Sequence, residues 1–548
     1  MWKLALPVAL AFALSSVGLS SPLSAAPTDR FLDGLQNADS SSQSSEFQAG
    51  LAALQARDLD VALEHFTLAE QSAPADARVH NFRAIALQAL NRNEEATSEF
   101  ENAIRLDPKL GDAYRGLGFL EWTEHRLSQA AEHLERALSL APHDSFAHYY
   151  LGRVLLDEGN GSRALAELEV SQELWPSDAT FLIQIGSAYL SAGRQSNAQK
   201  SLERAANSFL TPAQTARVSS LLVAAEDAPG ATVLMDKFCA QQRPNPPDWA
   251  SIDLALAYLM AGNYEMASKT SQTFLESRTD TSEADAAGAW TIIGIALARR
   301  GENNEALQAM NEAVTLSPKR EEPWLNLTLE LMSLERLGDS IDTAQKGLAA
   351  VPDSYALHLR FGAANLAAGH YDEAEAEFRR LAEAGDPLPL SYVGLAQVLL
   401  RTGRADQAAS MLLGARHKLG DSFLLIYFSG LALDRAGKAA EAFQAYKQAV
   451  AQNPKSVEAR VGLAKTELTL NRTRDAIEEL KDVLRLEPTN AQAARLLSRA
   501  YRRAGDAASA AKYASNAGAE PEPQPDRTLL GDFIPPDWMI PADEAVNQ

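Results

Sequence analysis

GDAYRGLGFLEWTEHRLSQAAEHLERALSLAPHD, residues 111–144, decides the fold. Tyr114, Leu117 and Gly118 fall on one face of a helix, and Ala130, Leu134 and Ala137 fall on one face of a second. Gly118 and Ala130 carry almost no side chain, so two antiparallel helices approach closely there, and Leu134 fills the space beside them. Pro142 has no amide hydrogen and its ring clashes with the preceding turn, so the second helix ends before it. The stretch reads as one helical hairpin.

Moving outward, the same landmarks return every 34 residues. Pro74, Pro108, Pro142 and Pro176 keep that interval, as do Pro318 and Pro352, and Pro454 and Pro488. Gly369, Gly403, Gly437, Asn471 and Gly505 form a second series at the same spacing. The turn inside each hairpin needs a left-handed residue, and Gly159, Gly193, Gly262, Gly301 and the series from Gly369 supply it. Asn91 and Asn471 take that place in two other copies, asparagine being the usual substitute. A chain of 548 residues would ordinarily divide into three or four domains, but stacked repeats share a continuous core.

With those residues in view, the chain resembles the tetratricopeptide-repeat family. Trp290, Ile293, Gly294 and Leu297, followed by Ala306, Met310, Ala313 and Pro318, carry the resemblance most fully. Leu151, Gly152, Ala164, Leu168 and Pro176 repeat it, as do Gly430, Ala442, Tyr446, Ala449 and Pro454. The resemblance implies an all-α fold, an α-solenoid in which about fourteen hairpins wind into a right-handed superhelix. Five repeats run in register over 43–210 and seven over 287–516. Between them, 211–286 reads as degenerate repeats and a hinge. There 212–225 and 231–242 form a helix pair with Pro229-Gly230 at the turn. The proline-rich 243–247 and the acidic 277–286 are the irregular places.

The two ends do not repeat. Residues 1–25 read as a signal peptide: Lys3 is the charge, 4–19 are apolar apart from Ser15 and Ser16, and Ser24, Ala25 and Ala26 suit cleavage. The alternative is an uncleaved anchor, for which an apolar run of about 16 residues is short against the roughly 20 a span needs. Residues 26–45 read as a flexible, serine-rich leader. Residues 517–548 read as a proline-rich linker and an apolar tail from Leu529 to Ile540, for which docking as a cap on the last repeat or its groove and free disorder are the alternatives. Export to the periplasm, cell envelope or extracellular space is the expected localisation. Cys239 is the only cysteine, so no intrachain disulfide forms.

Composition narrows the partners. The net charge of −22 and pI near 4.9 repel phosphate backbones, which argues against nucleic acid. Gly159, Gly161 and Ala164 match a loose dinucleotide fingerprint, but they lie between two helices rather than after a strand. Gly437-Lys438 lacks the glycine spacing of a phosphate loop, and no Gly-x-Ser-x-Gly or His-Glu-x-x-His is present. The nine histidines are scattered and no acid-rich cluster accompanies them. The expectation is no enzyme, no metal and no small-molecule cofactor.

The family resemblance places first-helix residues along a concave groove. By register these include Arg78, Asn81, Arg115, Phe119, Trp122, Phe146, Tyr149, Tyr150 and Arg153. Exposed aromatics with arginine make a binding hot spot; the competing reading packs the aromatics between repeats. Arg495, Arg499 and Arg502 share one face of a helix near the end, suited to an acidic partner or to the acidic linker. The groove positions lack the Lys and Asn set with which chaperone-binding members hold a chain terminus. The expected function is a non-catalytic exported scaffold or adaptor binding other proteins or peptide segments in its groove. The alternative is a structural accessory subunit of an envelope secretion, pilus or polymer-export machine.

Overall fold

The computed structural model describes residues 45–516, apart from 177, 243–245, 278–281 and 385–388. The stretches read as signal peptide and leader up to residue 44, and as linker and tail over 517–548, lie outside those residues, as do parts of the two irregular zones. Among the described residues there are 28 α-helices and no strands.

The described residues fall into two compact units, 45–263 and 264–516. In the first, α1 (Ser45–Gln55) pairs with α2 (Leu59–Ser72), and α3 (Ala77–Ala89) with α4 (Asn93–Leu106). The next pairs are α5 (Gly111–Thr123) with α6 (Leu127–Leu140), and α7 (Ser145–Asp157) with α8 (Gly161–Val170). Then α9 (Ala179–Ser191) pairs with α10 (Gln195–Ala206) and α11 (Pro212–Ala224) with α12 (Ala228–Gln241), before α13 (Asp248–Met260). The second unit opens with α14 (Tyr264–Ser277). Its pairs begin with α15 (Glu283–Arg300) and α16 (Asn303–Leu316), then α17 (Glu321–Ser333) and α18 (Leu337–Ala350). They continue with α19 (Tyr355–Ala368) and α20 (Tyr371–Glu383), then α21 (Leu390–Arg401) and α22 (Ala405–Leu419). The last six are α23 (Phe423–Arg435), α24 (Ala439–Gln452), α25 (Val457–Thr469), α26 (Thr473–Leu486), α27 (Ala491–Ala504) and α28 (Ala507–Asn516). The helix count equals that of fourteen hairpins.

Packing follows the small residues. A Cβ on Gly118 would meet Leu134 Cγ at 2.7 Å, so Leu134 occupies the room that the missing side chain leaves. Phe100 of α4 takes the corresponding space at Gly116 of the next hairpin. Tyr446 does both: its ring lies where Cβ atoms of Gly430, in its own hairpin, and Gly462, in the next, would be. One large second-helix residue thus ties its hairpin to the following one.

The prolines do more than end helices. The fourth residue of several first helices donates to the carbonyl of the proline six positions earlier, a group left without a partner where the preceding helix stops. His80 Nε2 lies 3.1 Å from Pro74 O, His148 Nε2 3.1 Å from Pro142 O and His358 Nε2 3.0 Å from Pro352 O. Trp324 Nε1 donates to Pro318 O at 2.9 Å and Arg460 Nε to Pro454 O at 2.7 Å. Each of the three histidines also bonds through Nδ1 to a glutamate of its second helix: Glu99, Glu167 and Glu377. Histidines dispersed in the sequence therefore hold equivalent joints.

The intra-hairpin turns are left-handed, with φ of 78° at Gly159 and 63° at Asn471. The same geometry occurs at Arg57, His125, Glu226 and Glu335, where no glycine or asparagine marks it. Around His125, backbone bonds from His125 to Trp122 and from Arg126 to Glu121 close the end of α5. Glu226 also corrects one expectation. Pro229-Gly230 is not the turn of its hairpin; it lies in the first turn of α12, where proline has no hydrogen bond to lose.

Gly462→Val is expected to destabilise the second unit by about 1–3 kcal/mol, since Tyr446 already fills the site. Gly414→Ala, where nothing lies within 4 Å of the added carbon, is expected to stabilise by about 0.5–1 kcal/mol. Urea midpoints measured by circular dichroism check both; equal effects of the two would refute the packing account.

Candidate partner-binding face

Within each unit, successive first helices touch one another: α3 and α5, α5 and α7, α7 and α9, and likewise α17 and α19, α19 and α21. First helices packed this closely form a continuous row, so a residue on one turn of α5 has its neighbours on α3 and α7 as well as on α6. That proximity decides where the expected binding residues end up.

The aromatics turn inward. Phe119, Trp122, Tyr149 and Tyr150 are each no more than 6% exposed. Phe119 and Tyr150 have ring centroids 4.7 Å apart, Tyr149 and Tyr150 5.5 Å, and Trp122 and Tyr150 6.2 Å. Phe146, half-buried, adds a fourth ring at 6.4 Å from Tyr150. This corrects the expectation of an exposed aromatic hot spot: rings on neighbouring first helices cover each other. Asn81 is buried as well.

The polar candidates divide. Arg78 is half-buried and folds back on its own helix cap, with Nε 3.1 Å from Asp76 Oδ1 and Nη2 3.0 Å from Oδ2. Arg115 is buried between Asp112 and Asp144. Burial opposes its charge, but the two carboxylates outweigh burial and raise its pKa. Neither arginine presents a free fork. On α27, Arg499 and Arg502 are exposed and Arg495 is half-buried, so that face remains open to an acidic segment.

Arg153 differs from the others. Its guanidinium carbon lies 5.1 Å from the Trp122 ring centroid, 5.2 Å from Phe181 and 6.0 Å from Tyr149. Nη1 donates to the Tyr149 hydroxyl at 3.1 Å, and Nε has no acceptor. Nearby, Asp157 accepts from Trp122 Nε1 at 2.7 Å and from Gln184 Nε2 at 3.3 Å. Trp122, Tyr149 and Phe181 thus come from α5, α7 and α9 to surround one half-buried cation, Asp157 holds Trp122, and among the described residues no ion pair joins Arg153 to a carboxylate. Phe181 and Asp157 were missed in the sequence because they sit at helix ends outside the register followed there; the recurrence of large residues beside Arg153 one hairpin on was the available signal. A guanidinium held flat by rings is preorganised for a planar acceptor, such as a carboxylate or a run of backbone carbonyls.

Among the described residues no group of three or more histidine, cysteine or acidic side chains is arranged to hold a metal ion. The buried Cys239 thiol is 3.5 Å from Ala250 O, and burial, with Asp236 and Asp253, pushes its pKa up to about 11. The most perturbed carboxyl arises from a change of partner between repeats. In the third hairpin, Glu121 of α5 meets His133 Nδ1 at 2.7 Å. In the hairpin of α25 and α26 the equivalent positions hold Glu467 and Glu479, two carboxylates. Burial first, then Glu479 and Asp475, push Glu467 up to about 7, while Arg472 pulls the other way.

Family models of the tetratricopeptide repeat match residues 47–111, 252–321, 325–389 and 393–457, and a second set matches 121–179 and 435–500. These spans cover more than half of the chain. It belongs to the tetratricopeptide-repeat family. Among solved structures, yeast Tom70 is similar at 14% identity over 84% of this chain and 96% of that one, with a TM-score of 0.42. Cut9–Hcn1 of the APC/C is similar at 13% identity over 79% and 92%, with a TM-score of 0.35. The P58(IPK) repeat domain is similar at 16% identity over 73% and 99%, with a TM-score of 0.27. Among curated proteins no sequence matches. The repeats are those of protein-binding scaffolds, and no helix among the described residues is long and apolar enough to cross a membrane.

Glu467 makes stability depend on pH in a defined direction. An unfolded glutamate titrates near about 4.3, so between there and about 7 the folded chain keeps a proton that the unfolded chain releases. Stability is therefore fully present at low pH and is lost as pH rises through about 7. Glu467→Gln is expected to raise the melting temperature at pH 8 and leave it nearly unchanged at pH 4. The same shift at both values would show that the carboxyl is not the cause.

Proposed function

We propose that this chain is a non-catalytic, exported scaffold that binds partner polypeptides along the first-helix row of the 45–263 unit, with Arg153 as its polar anchor. The observation that carries this reading is the arginine itself. Arg153 is clamped by Trp122, Phe181 and Tyr149, yet among the described residues no acid forms an ion pair with it. Holding a guanidinium rigid sacrifices rotamer freedom, and a solvated surface arginine gains little from that. A partner acceptor meeting a rigid fork recovers the loss, because the ordering has already been done. Arg499 and Arg502, exposed on α27, supply a second polar surface for an acidic stretch of the same or another partner.

Export rests on the apolar stretch that follows Lys3 and on the small residues before Pro27. The role then is recruitment or assembly of other envelope or secreted proteins. A purely structural accessory subunit would depend on repeat number and not on Arg153.

Crosslinking from position 184, beside the clamp, in the native cell captures the partner, and calorimetry with the purified partner measures affinity. Arg153→Ala is expected to weaken binding about thirtyfold, the scale of a hot-spot truncation. Arg153→Lys is expected not to rescue, since a lysine offers neither a planar fork nor stacking. Binding within twofold of wild type, at unchanged helicity and melting, would remove Arg153 from the interface and favour the structural role.

A further inference from the structure

Three hairpin joints are made by histidine, and two of them do not close with a neutral ring. His80 and His148 stand fourth in α3 and α7, and His358 stands fourth in α19. At His80 and His148, Nε2 meets the carbonyl of the proline ending the preceding hairpin, at 3.1 Å in both. Nδ1 meets a glutamate of the second helix, at 2.7 Å from Glu99 Oε2 and 2.6 Å from Glu167 Oε2. A carbonyl and a carboxylate only accept, whereas a neutral imidazole carries one N–H and one lone pair. Both bonds form together only when one further proton sits on the imidazole–carboxylate pair. The two histidine side chains are 8% and 14% exposed, so solvent is a poor substitute for the missing donor.

The other repeats show what this place requires. Arg460, fourth in α25, is always cationic and donates both to Pro454 O and to Glu479, nineteen residues further on. Trp324, fourth in α17, has a single N–H, which goes to Pro318 O, and nineteen residues on stands Thr343. Across the five and seven repeats that keep register, a glutamate follows the fourth position at that distance only where the fourth residue is histidine or arginine: Glu99, Glu167, Glu377 and Glu479. In the first hairpin the two residue types are exchanged, Glu46 fourth and His65 nineteen on, and they still meet at 2.7 Å. The acid thus accompanies a second N–H, which histidine has only with its extra proton. His358 is the exception. Arg380 brings Nη1 within 2.9 Å of both its ring nitrogens and 3.8 Å of Glu377, so that joint already holds a permanent cation.

We propose that the His80–Glu99 and His148–Glu167 joints are proton-operated fasteners of the 45–263 unit. With the proton bound, each histidine ties the end of one hairpin, at Pro74 or Pro142, to the second helix of the next. Without it one of the two bonds is lost, and α3 and α7 are held less firmly to α2 and α6. The other charges about these rings are already placed. Near His80, Asp76 is engaged by Arg78, and Arg83 reaches both Glu70 and Glu99; Asp76 attracts an imidazolium there and Arg83 repels it. Near His148, Asp144 is taken by Arg115, which also meets Asp112. An unfolded histidine sheds its proton near about pH 6.5, so below that value both states hold it and the joint contributes fully. Above it only the folded joint holds the proton, and the contribution is lost as pH rises further. The device lies in the joints themselves and does not depend on the reading of Arg153.

The test follows urea unfolding of the full chain by circular dichroism between pH 5.5 and pH 8. His80→Arg with His148→Arg copies the Arg460 joint and needs no added proton. Glu99→Gln with Glu167→Gln sets an amide N–H opposite Nδ1, so a neutral ring completes both bonds. Each pair is expected to flatten the fall of stability with rising pH, the slope losing about one to two protons relative to wild type. Glu467 acts in the same direction but is common to all these chains, so it cancels in the comparison. His358→Asn, where Arg380 already supplies the cation, is expected to leave the slope unchanged. A wild-type slope in the glutamine pair, or in a folded arginine pair, overturns the proposal; if the arginine pair does not fold, the glutamine pair alone decides. A slope lost equally in His358→Asn overturns the assignment to the two joints of the first unit.

Discussion

One large side chain seated against one or two glycines holds many of the joints of this fold. The ring of Tyr446 takes space left by Gly430 in its own hairpin and Gly462 in the next, and Phe378 does the same with Gly362 and Gly394. A hairpin cannot bury its apolar face alone; it is completed by its neighbour, and the glycine sets how near that neighbour comes. At Pro74, Pro142, Pro318, Pro352 and Pro454 the end of a second helix then leaves a carbonyl that a histidine, tryptophan or arginine of the following first helix satisfies. Close approach and a satisfied helix end are two sides of one constraint, which is why the period tolerates so little drift.

That constraint explains which parts of the fold were legible. Gly118, Leu134 and Pro142 each have a local reason to be where they are, and repetition at 34 residues multiplies a weak signal into a firm one. Left-handed turns at Arg57, His125, Glu226 and Glu335 were not legible, because tertiary packing of both flanking helices imposes a backbone that these residues do not prefer. Pro229-Gly230 misled for the opposite reason. A proline and a glycine suit a turn, but they also suit the first turn of a helix, and periodicity alone does not choose between the two.

The binding face was harder to read than the fold. Register correctly places Trp122, Tyr149, Tyr150 and Arg153 on first helices, but it does not say how near the next first helix stands. The rows are close enough that tyrosine and tryptophan cover one another and become core. The charged residues sort by partner in the same way. Arg115 has Asp144 from the start of the next hairpin and is structural; Arg153, one hairpin further on, has rings instead of an acid. No sequence rule separates these two arginines, since the deciding residues are 29 positions away for one and on three different helices for the other.

Unsatisfied polar groups therefore carry the information that exposure was expected to carry. In a protein of net charge −22, an arginine finds acids nearby more easily than it avoids them. Arg78, Arg83, Arg92 and Arg404 all found one. Among the described residues Arg153 and Arg360 did not, and the first is fixed by aromatic rings while the second is sealed from water. Stability alone does not favour either arrangement: an exposed acid beside Arg153 or a methionine in place of Arg360 would relieve it. Arg153 is accounted for if the missing acceptor belongs to another molecule.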